Sequence, residues 1–466
     1  MFWPDTELTP AIPFKSLAIS LLSVLACACS DSSGASCAVD QAYEPVVRQI
    51  SSRGSARATA YGMSNKLLYQ NGRLYFTWLD HLSEVMIGSV AMGERDFGQF
   101  HSIAIGRGTD NHGGAALVAD DRGHFHVVYG AHHGPLKHRV SARPGDIERW
   151  LGTRKVGTHA TYPSVVATGG GRLAMAFRSS ANPAWELRFG TFSPSTGWAA
   201  PKTIVAAGGK GYSNFGNHLA VSPEGRLFLA FHLAEPGPWR PRSAHLISSD
   251  DNGRSWKAMD GIPVGIPVSA GRAQTAGLIV EDPSARVMVR SLAIGQDGLP
   301  WVAVSMEDNG MAKVRLYRWL GGQWIAIDPG QHFTGPLANH HVSDVSIAID
   351  GNKVIYLLAA IRPGLQDGRA DFGHPGNRIA LMRSADAGKA FSVVRVGRPD
   401  PRTASWLPTL STRSGRRGSG SPAFLYTSGN DVVGTRDRPE TDVFLGAVFR
   451  CDAPNRSKEV VTGDRP

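Results

Sequence analysis

One pattern recurs seven times along the chain: a polar turn holding a glycine, then an alternating or continuous apolar run. It reads NGRLYFTW at Gly72, RGHFHVVYG at Gly123, GGRLAMAFR at Gly171 and EGRLFLAFH at Gly225. It returns as DGLPWVAVS at Gly298 and DGNKVIYLLAA at Gly351, and more loosely as GSGSPAFLYTS at Gly420. Successive glycines lie 51, 48, 54, 73, 53 and 69 residues apart. A hairpin repeated at such intervals, with no sustained 3.6-residue periodicity, predicts an all-β fold, a seven-bladed β-propeller forming a single domain. The two long intervals contain Pro/Gly-rich inserts, 235–243 and 362–377, expected as loops over one rim. The strand near 42–50 is expected to join the last blade beside 442–451 and close the ring.

Two further hairpins carry an Asp-box. Ser249, Asp251, Gly253, Ser255 and Trp256 match the pattern S-x-D-x-G-x-T-W in full, whereas Ser384, Asp386, Gly388 and Phe391 match it in part. In such a turn the Asp and Ser side chains satisfy backbone amides and the aromatic packs between blades. It is a staple rather than a reactive group.

The ends of the chain speak to location. Residues 16–29 form an apolar run behind Lys15, too short for a membrane span and the right length for the core of a signal peptide. It ends in Val24-Leu25-Ala26-Cys27, resembling a lipoprotein cleavage box with Cys27 as the lipidated residue. The expected organisation is a signal peptide over 1–26, a tether over 27–40, the propeller over 41–455 and a flexible tail over 456–466. The chain is then exported, to the periplasm, the outer membrane as a lipoprotein, or the medium. Its one membrane contact is the lipid anchor, and it is expected to be a monomer. An apolar fraction of 42% excludes wholesale disorder, and the net charge of +10 on only 19% charged residues calls for an acidic partner. For an exported chain without a lysine-rich arm that partner is an acidic polysaccharide, not nucleic acid. Ring closure would bring Cys37 and Cys451 together as a disulfide candidate.

Eight of the 16 histidines fall between residues 101 and 159. His124 and His126 share one face of a strand, but no HExxH or Cys/His cluster accompanies them, so strand packing is their expected role. His112 lies just ahead of its blade's inner strand and His132 just past the following one. Tyr162 and Arg178 stand in similar places in the next blade. Two histidines, a tyrosine and an arginine meeting in one funnel would make an acid/base site with an anion clamp.

The stretches DNHGGAALVADDRGHFHVVYGAHHGPLKH (110–138), TYPSVVATGGGRLAMAFRSS (161–180) and the segment 230–261 with its Asp-box resemble the BNR-type ulvan lyases, polysaccharide lyase families 24 and 25. The resemblance implies β-elimination at a rhamnose–glucuronate linkage, with His112, His132, Tyr162 and Arg178 as catalytic candidates. His112 or Tyr162 would take the C5 proton, the other would protonate the leaving oxygen, and Arg178 would pair with the carboxylate. Asn111, His133, Tyr212, His232, Trp239, Arg240 and His341 are the candidate substrate contacts. A second tyrosine is expected at Tyr212, unless Phe215 holds that position and its hydroxyl is missing. His232 replaces part of a WxWR string, and Trp239 and Trp406 are candidates for stacking on sugar rings. No cofactor is required for the chemistry; a structural Ca²⁺ or Zn²⁺ is possible and no metal ligand is assigned. The alternatives are a glycan-binding propeller without activity, or a sialidase-like hydrolase, for which no FRIP-like string is present.

Overall fold

The computed structural model describes residues 43–94, 96–183, 185–206, 216–234, 241–269, 276–333, 339–364, 373–396, 403–411, 422–429 and 441–450. The signal and tether segments, Cys27, Cys37, Cys451, Tyr212, Phe215, Trp239 and Arg240 lie outside them. Among the described residues the regular elements are antiparallel strands and one 3-10 turn, Pro329–His332, and no helix is long and apolar enough to cross a membrane.

The glycine turns sit where the repeats require them. Gly72 joins Leu67–Gln70 to Arg73–Asp80, Gly123 joins Ala116–Ala119 to Phe125–Tyr129, and Gly171 joins Arg154–Gly169 to Arg172–Ser179. Gly225, Gly298 and Gly351 fall in the corresponding turns of three later sheets. Gly123 shows why the residue recurs: its φ of 85° suits a residue without Cβ, while Asp120 Oδ1 accepts the amides of Arg122 and His124 across the turn. At the sixth repeat the left-handed position is Lys353 instead, and Asp350 makes the matching bonds to the amides of Asn352 and Val354.

The strands assemble into five hydrogen-bonded sheets, two of eight strands, one of six and two of four. The apolar runs after the glycines become strands buried on both faces. All of Leu227–Ala234 is buried: Leu229, Phe231 and Leu233 pack with Val166, Phe189 and Trp256, while Phe228 and Ala230 pack with Val287 and Val302 of the following sheet. As the repeat pattern predicts, the first described strand, Tyr43–Gly54, pairs antiparallel with the last, Thr441–Arg450, with Val47 opposite Gly446.

Both Asp-boxes are formed. Asp251 Oδ1 accepts the amides of Arg254 and Ser255, Oδ2 accepts the Ser255 hydroxyl, and buried Trp256 meets Phe189 edge-on at 5.3 Å. In the partial copy Asp386 still accepts from the Ala390 amide and the Ser384 hydroxyl, but Ala390 has no hydroxyl to add.

Residues 55–66 are the part of the fold that matters most for the site. They leave the first strand and touch several sheets in turn. Thr59 Oγ1 donates to Leu407 O at 2.7 Å, Lys66 Nζ to Ala115 O at 2.9 Å, and Ser64 Oγ to Pro163 O. Trp406 Nε1 donates to Ala56 O at 2.8 Å, and the indole is 1% exposed. Trp406 is therefore placed as a buttress beneath this segment rather than as an open stacking surface.

Candidate active site

Three glycines bring the two catalytic histidines together. A Cβ on Gly113 would lie 3.1 Å from the Gly130 Cα and 3.2 Å from that of Gly108, so only glycine lets these segments pass so closely. The Thr109 amide donates to Gly130 O and the Gly130 amide to Gly113 O, pinning the 109–113 turn to the end of Phe125–Tyr129. His112 and His132 consequently stack, with ring centroids 4.0 Å apart and planes 18° from parallel.

Asp110 lies between them. His112 Nδ1 is 3.0 Å from Oδ1 and His132 Nδ1 is 2.6 Å from Oδ2, while Oδ1 also accepts the His112 amide at 2.8 Å. Partial burial opposes the charge on Asp110, but the hydrogen bonds from both histidines outweigh it and hold the carboxyl well below the usual carboxylate range. An ionised carboxylate only accepts, so each Nδ1 carries a hydrogen and each neutral ring keeps its lone pair on Nε2. His112 Nε2 in turn accepts from Arg57, because a guanidinium can only donate. Burial lowers the His112 pKa, as do the charges of Arg57 and His132, against the opposing pull of Asp110.

Tyr162 comes from a strained backbone. Its φ of 59° is left-handed, and the ladder between Arg154–Gly169 and Arg172–Ser179 slips in register at this point, opposite Ala176 and Arg178. The side-chain amide of Asn217 donates to the Tyr162 carbonyl at 3.2 Å and holds the bulge. His133 and His159 share the left-handed conformation, at 61° and 54°. Such strain gathers where surrounding structure holds a side chain in a required position. The Tyr162 ring meets Tyr61 edge-on at 4.6 Å and lies 6.3 Å from His112. Burial and the neighbouring Tyr162 push the Tyr61 hydroxyl up.

Arg178 is 0% exposed. Its guanidinium carbon is 4.5 Å from the Tyr162 ring centroid and 4.4 Å from that of Trp185, a cation between two aromatic faces. Trp185 also contacts His133, whose Nδ1 is 2.6 Å from Ser180 Oγ. Burial, with the charges of His132 and Arg178, lowers the His133 pKa.

The structure thus brings His112, His132, His133, Tyr162 and Arg178 into one cluster, with Asn111 half-buried in the same turn. It places His232 and His341 differently. Both are buried, His232 Nε2 accepting from the Gly216 amide at 3.4 Å and His341 Nδ1 from the Ala312 amide at 3.1 Å. His124 and His126 do not converge: one reaches Ser141 O, and the other stacks on His138, which accepts from Trp198 Nε1. Asp110, Arg57, Tyr61 and Trp185 are site residues that the sequence reading passed over. A signal for Tyr61 exists, since it precedes Gly72 by 11 residues just as His112 precedes Gly123 by 11.

Asp110, His112 and His132 put three ligand-type atoms within 4.8 Å of one another. Those atoms are already paired among themselves, and a guanidinium rests on His112 Nε2. This is the arrangement of a carboxylate orienting two bases, with a cation where a divalent metal would need a lone pair.

The fold and this cluster describe an all-β, BNR-type propeller protein with an acid/base site. The chain belongs to the BNR repeat-containing family, whose pattern matches residues 73–331. It is 22% identical over 263 residues to an ulvan lyase, Ulvan Lyase-PL25, of Pseudoalteromonas sp. (strain PLSV), covering 48% of this chain and 53% of that protein. An ulvan lyase of Alteromonas sp. (strain LOR) is 23% identical over 274 residues, covering 51% and 55%. The match thus spans about half the length of these two curated relatives. Among solved structures, the family PL25 ulvan lyase superposes with a TM-score of 0.65 at 15% identity, over 85% of this chain and 94% of that one. The same figures describe that lyase bound to -[GlcA(1-4)Rha3S]-. At this identity the likeness shows the fold.

Proposed function

We propose that the protein is a polysaccharide lyase that cleaves a uronate-containing acidic polysaccharide by β-elimination. The observation that carries the reading is the pair of stacked histidines sharing Asp110, with His112 Nε2 directed away from the carboxylate beside Tyr61 and Tyr162. The ulvan lyases among its relatives, and the lyase bound to a glucuronate–rhamnose ligand, favour an ulvan-like substrate. The basic charge of the chain suits a sulfated or uronate polymer, and its amino-terminal apolar run suits an exported enzyme.

In this reading neutral His112 removes the C5 proton of the uronate. The C5–H electron pair forms the C4–C5 double bond, the C4–O bond breaks, and its electrons leave with the glycosidic oxygen. Tyr162 protonates that oxygen, so the products are a new hydroxyl end and a 4,5-unsaturated uronyl end. A cation paired with the carboxylate stabilises the charge that develops as C5 loses its proton. The reaction so drawn calls on no redox cofactor.

Turnover is read as ultraviolet absorbance of the conjugated double bond, on ulvan, other rhamnose–glucuronate polymers and glycosaminoglycans. His112→Ala and Tyr162→Phe are each expected to lower kcat at least about 100-fold while the folded signal by circular dichroism is unchanged. A glycan-binding propeller without activity would give no absorbance on any polymer and the same affinity in both variants; that outcome sinks the lyase reading.

A further inference from the structure

Two arginines border the catalytic rings, and they differ in what can reach them. Arg178 is fully enclosed, with the rings of Tyr162 and Trp185 over its guanidinium at 4.5 and 4.4 Å. Arg57 is only partly buried, donates to His112 Nε2, and has its guanidinium carbon 5.8 Å from the Tyr61 ring centroid. We infer that Arg57 receives the substrate carboxylate, and that in doing so it releases His112. The inference rests on the lyase reading with His112 as base, and deepens it by assigning the uronate-binding residue.

The chemistry follows from what each group can accept. His112 Nδ1 is held by Asp110, which leaves Nε2 as its one basic atom, and Arg57 covers that atom. A neutral imidazole accepts one hydrogen bond from a guanidinium. A carboxylate accepts two in parallel and carries a charge, so it is the stronger partner. When a uronate enters, its carboxylate draws Arg57 away and leaves the Nε2 lone pair open beside the carbon that bears the acidified hydrogen. A neutral sugar offers no such exchange, so the base stays covered. The backbone of Arg57 need not move. The Trp406 indole holds Ala56 O, and Thr59 holds Leu407 O, leaving the long side chain to swing. Arg178 is then a positioning residue that fixes Tyr162 and Trp185 between which it lies.

The test reads His112 directly and does not depend on turnover. The groups facing it are Arg57, Tyr61, Asp110, His132 and Tyr162. In protein labelled with ¹⁵N-histidine, His112 is titrated by NMR with sodium glucuronate, and with glucose as the neutral control. Glucuronate is expected to raise the His112 pKa and shift its Nε2 resonance in the wild type, and glucose to do neither. In Arg57→Gln the pKa starts higher and glucuronate no longer changes it; kcat/KM on the polymer falls about 100-fold, with Arg57→Lys between the two. A glucuronate response that persists in Arg57→Gln, or is missing from the wild type, overturns the assignment. If the response depends on Arg57 but no polymer is cleaved, the uronate site stands and the lyase reading falls. If polymer is cleaved equally well by Arg57→Gln, the lyase reading stands and the role of Arg57 falls.

Discussion

Asp110 sets the state of two bases with one carboxylate. Replacing it by Asn keeps the volume but substitutes an amide that can donate as well as accept, so neither Nδ1 hydrogen is specified. Asp110→Asn is therefore expected to lower kcat by about 100-fold or more. It should also move the acidic limb of the pH profile downward, because Asp110 is the group that raises the His112 pKa. A pH series on wild type and variant checks both; an unchanged profile would mean that Asp110 merely shapes the turn. At this scale much of the site was legible. His112, His132, Tyr162 and Arg178 stand in recognisable strings, and they do converge. Asp110 stood two residues from His112, but an Asp before a Gly-rich turn is an ordinary turn residue, and nothing local says that its second oxygen meets His132. Trp185 and Arg57 fall in no repeat, and their roles arise from contacts to other segments.

Among the elements, the Asp-box hairpins were the easiest to read, because their bonds close within seven residues. Trp256→Ala removes a buried indole from the contact with Phe189 and is expected to cost about 3–5 kcal/mol. Asp251→Ala removes acceptors for two amides and two hydroxyls and is expected to cost about 1 kcal/mol. The same change at Asp386 should cost less, since no hydroxyl follows at Ala390. Denaturant midpoints of the three variants test the order; a larger loss at Asp386 than at Asp251 would contradict it. The strands after each glycine were legible for the same short-range reason. The 55–66 segment was not, since it has no repeat of its own and is held by partners about 50 to 370 residues away.

The whole molecule buries several histidines that the site does not use. His138, His218 and His232 are pushed by burial down to about 3, and His245 to about 4. In the unfolded chain these rings take up protons at about pH 6.5, whereas the folded state keeps them neutral. Stability is accordingly full above about pH 6.5 and falls as pH drops towards 4, by up to about 1.4 kcal/mol per histidine per pH unit. Unfolding midpoints between pH 7.5 and 5 should show this decline, and His138→Phe should flatten it; a midpoint independent of pH would refute it. Taken alone, the sequence determined the all-β class, the hairpin turns and the pairing of the first described strand with the last. Turn bonds and two-sided burial are properties of a few consecutive residues and their period. Only the tertiary structure decided that Arg57 would rest on His112, that Arg178 would be enclosed, and that Tyr61 would meet Tyr162. Those contacts join segments from different sheets, and which atoms face one another there depends on how the strands stack and where Tyr162 bulges, not on any local pattern.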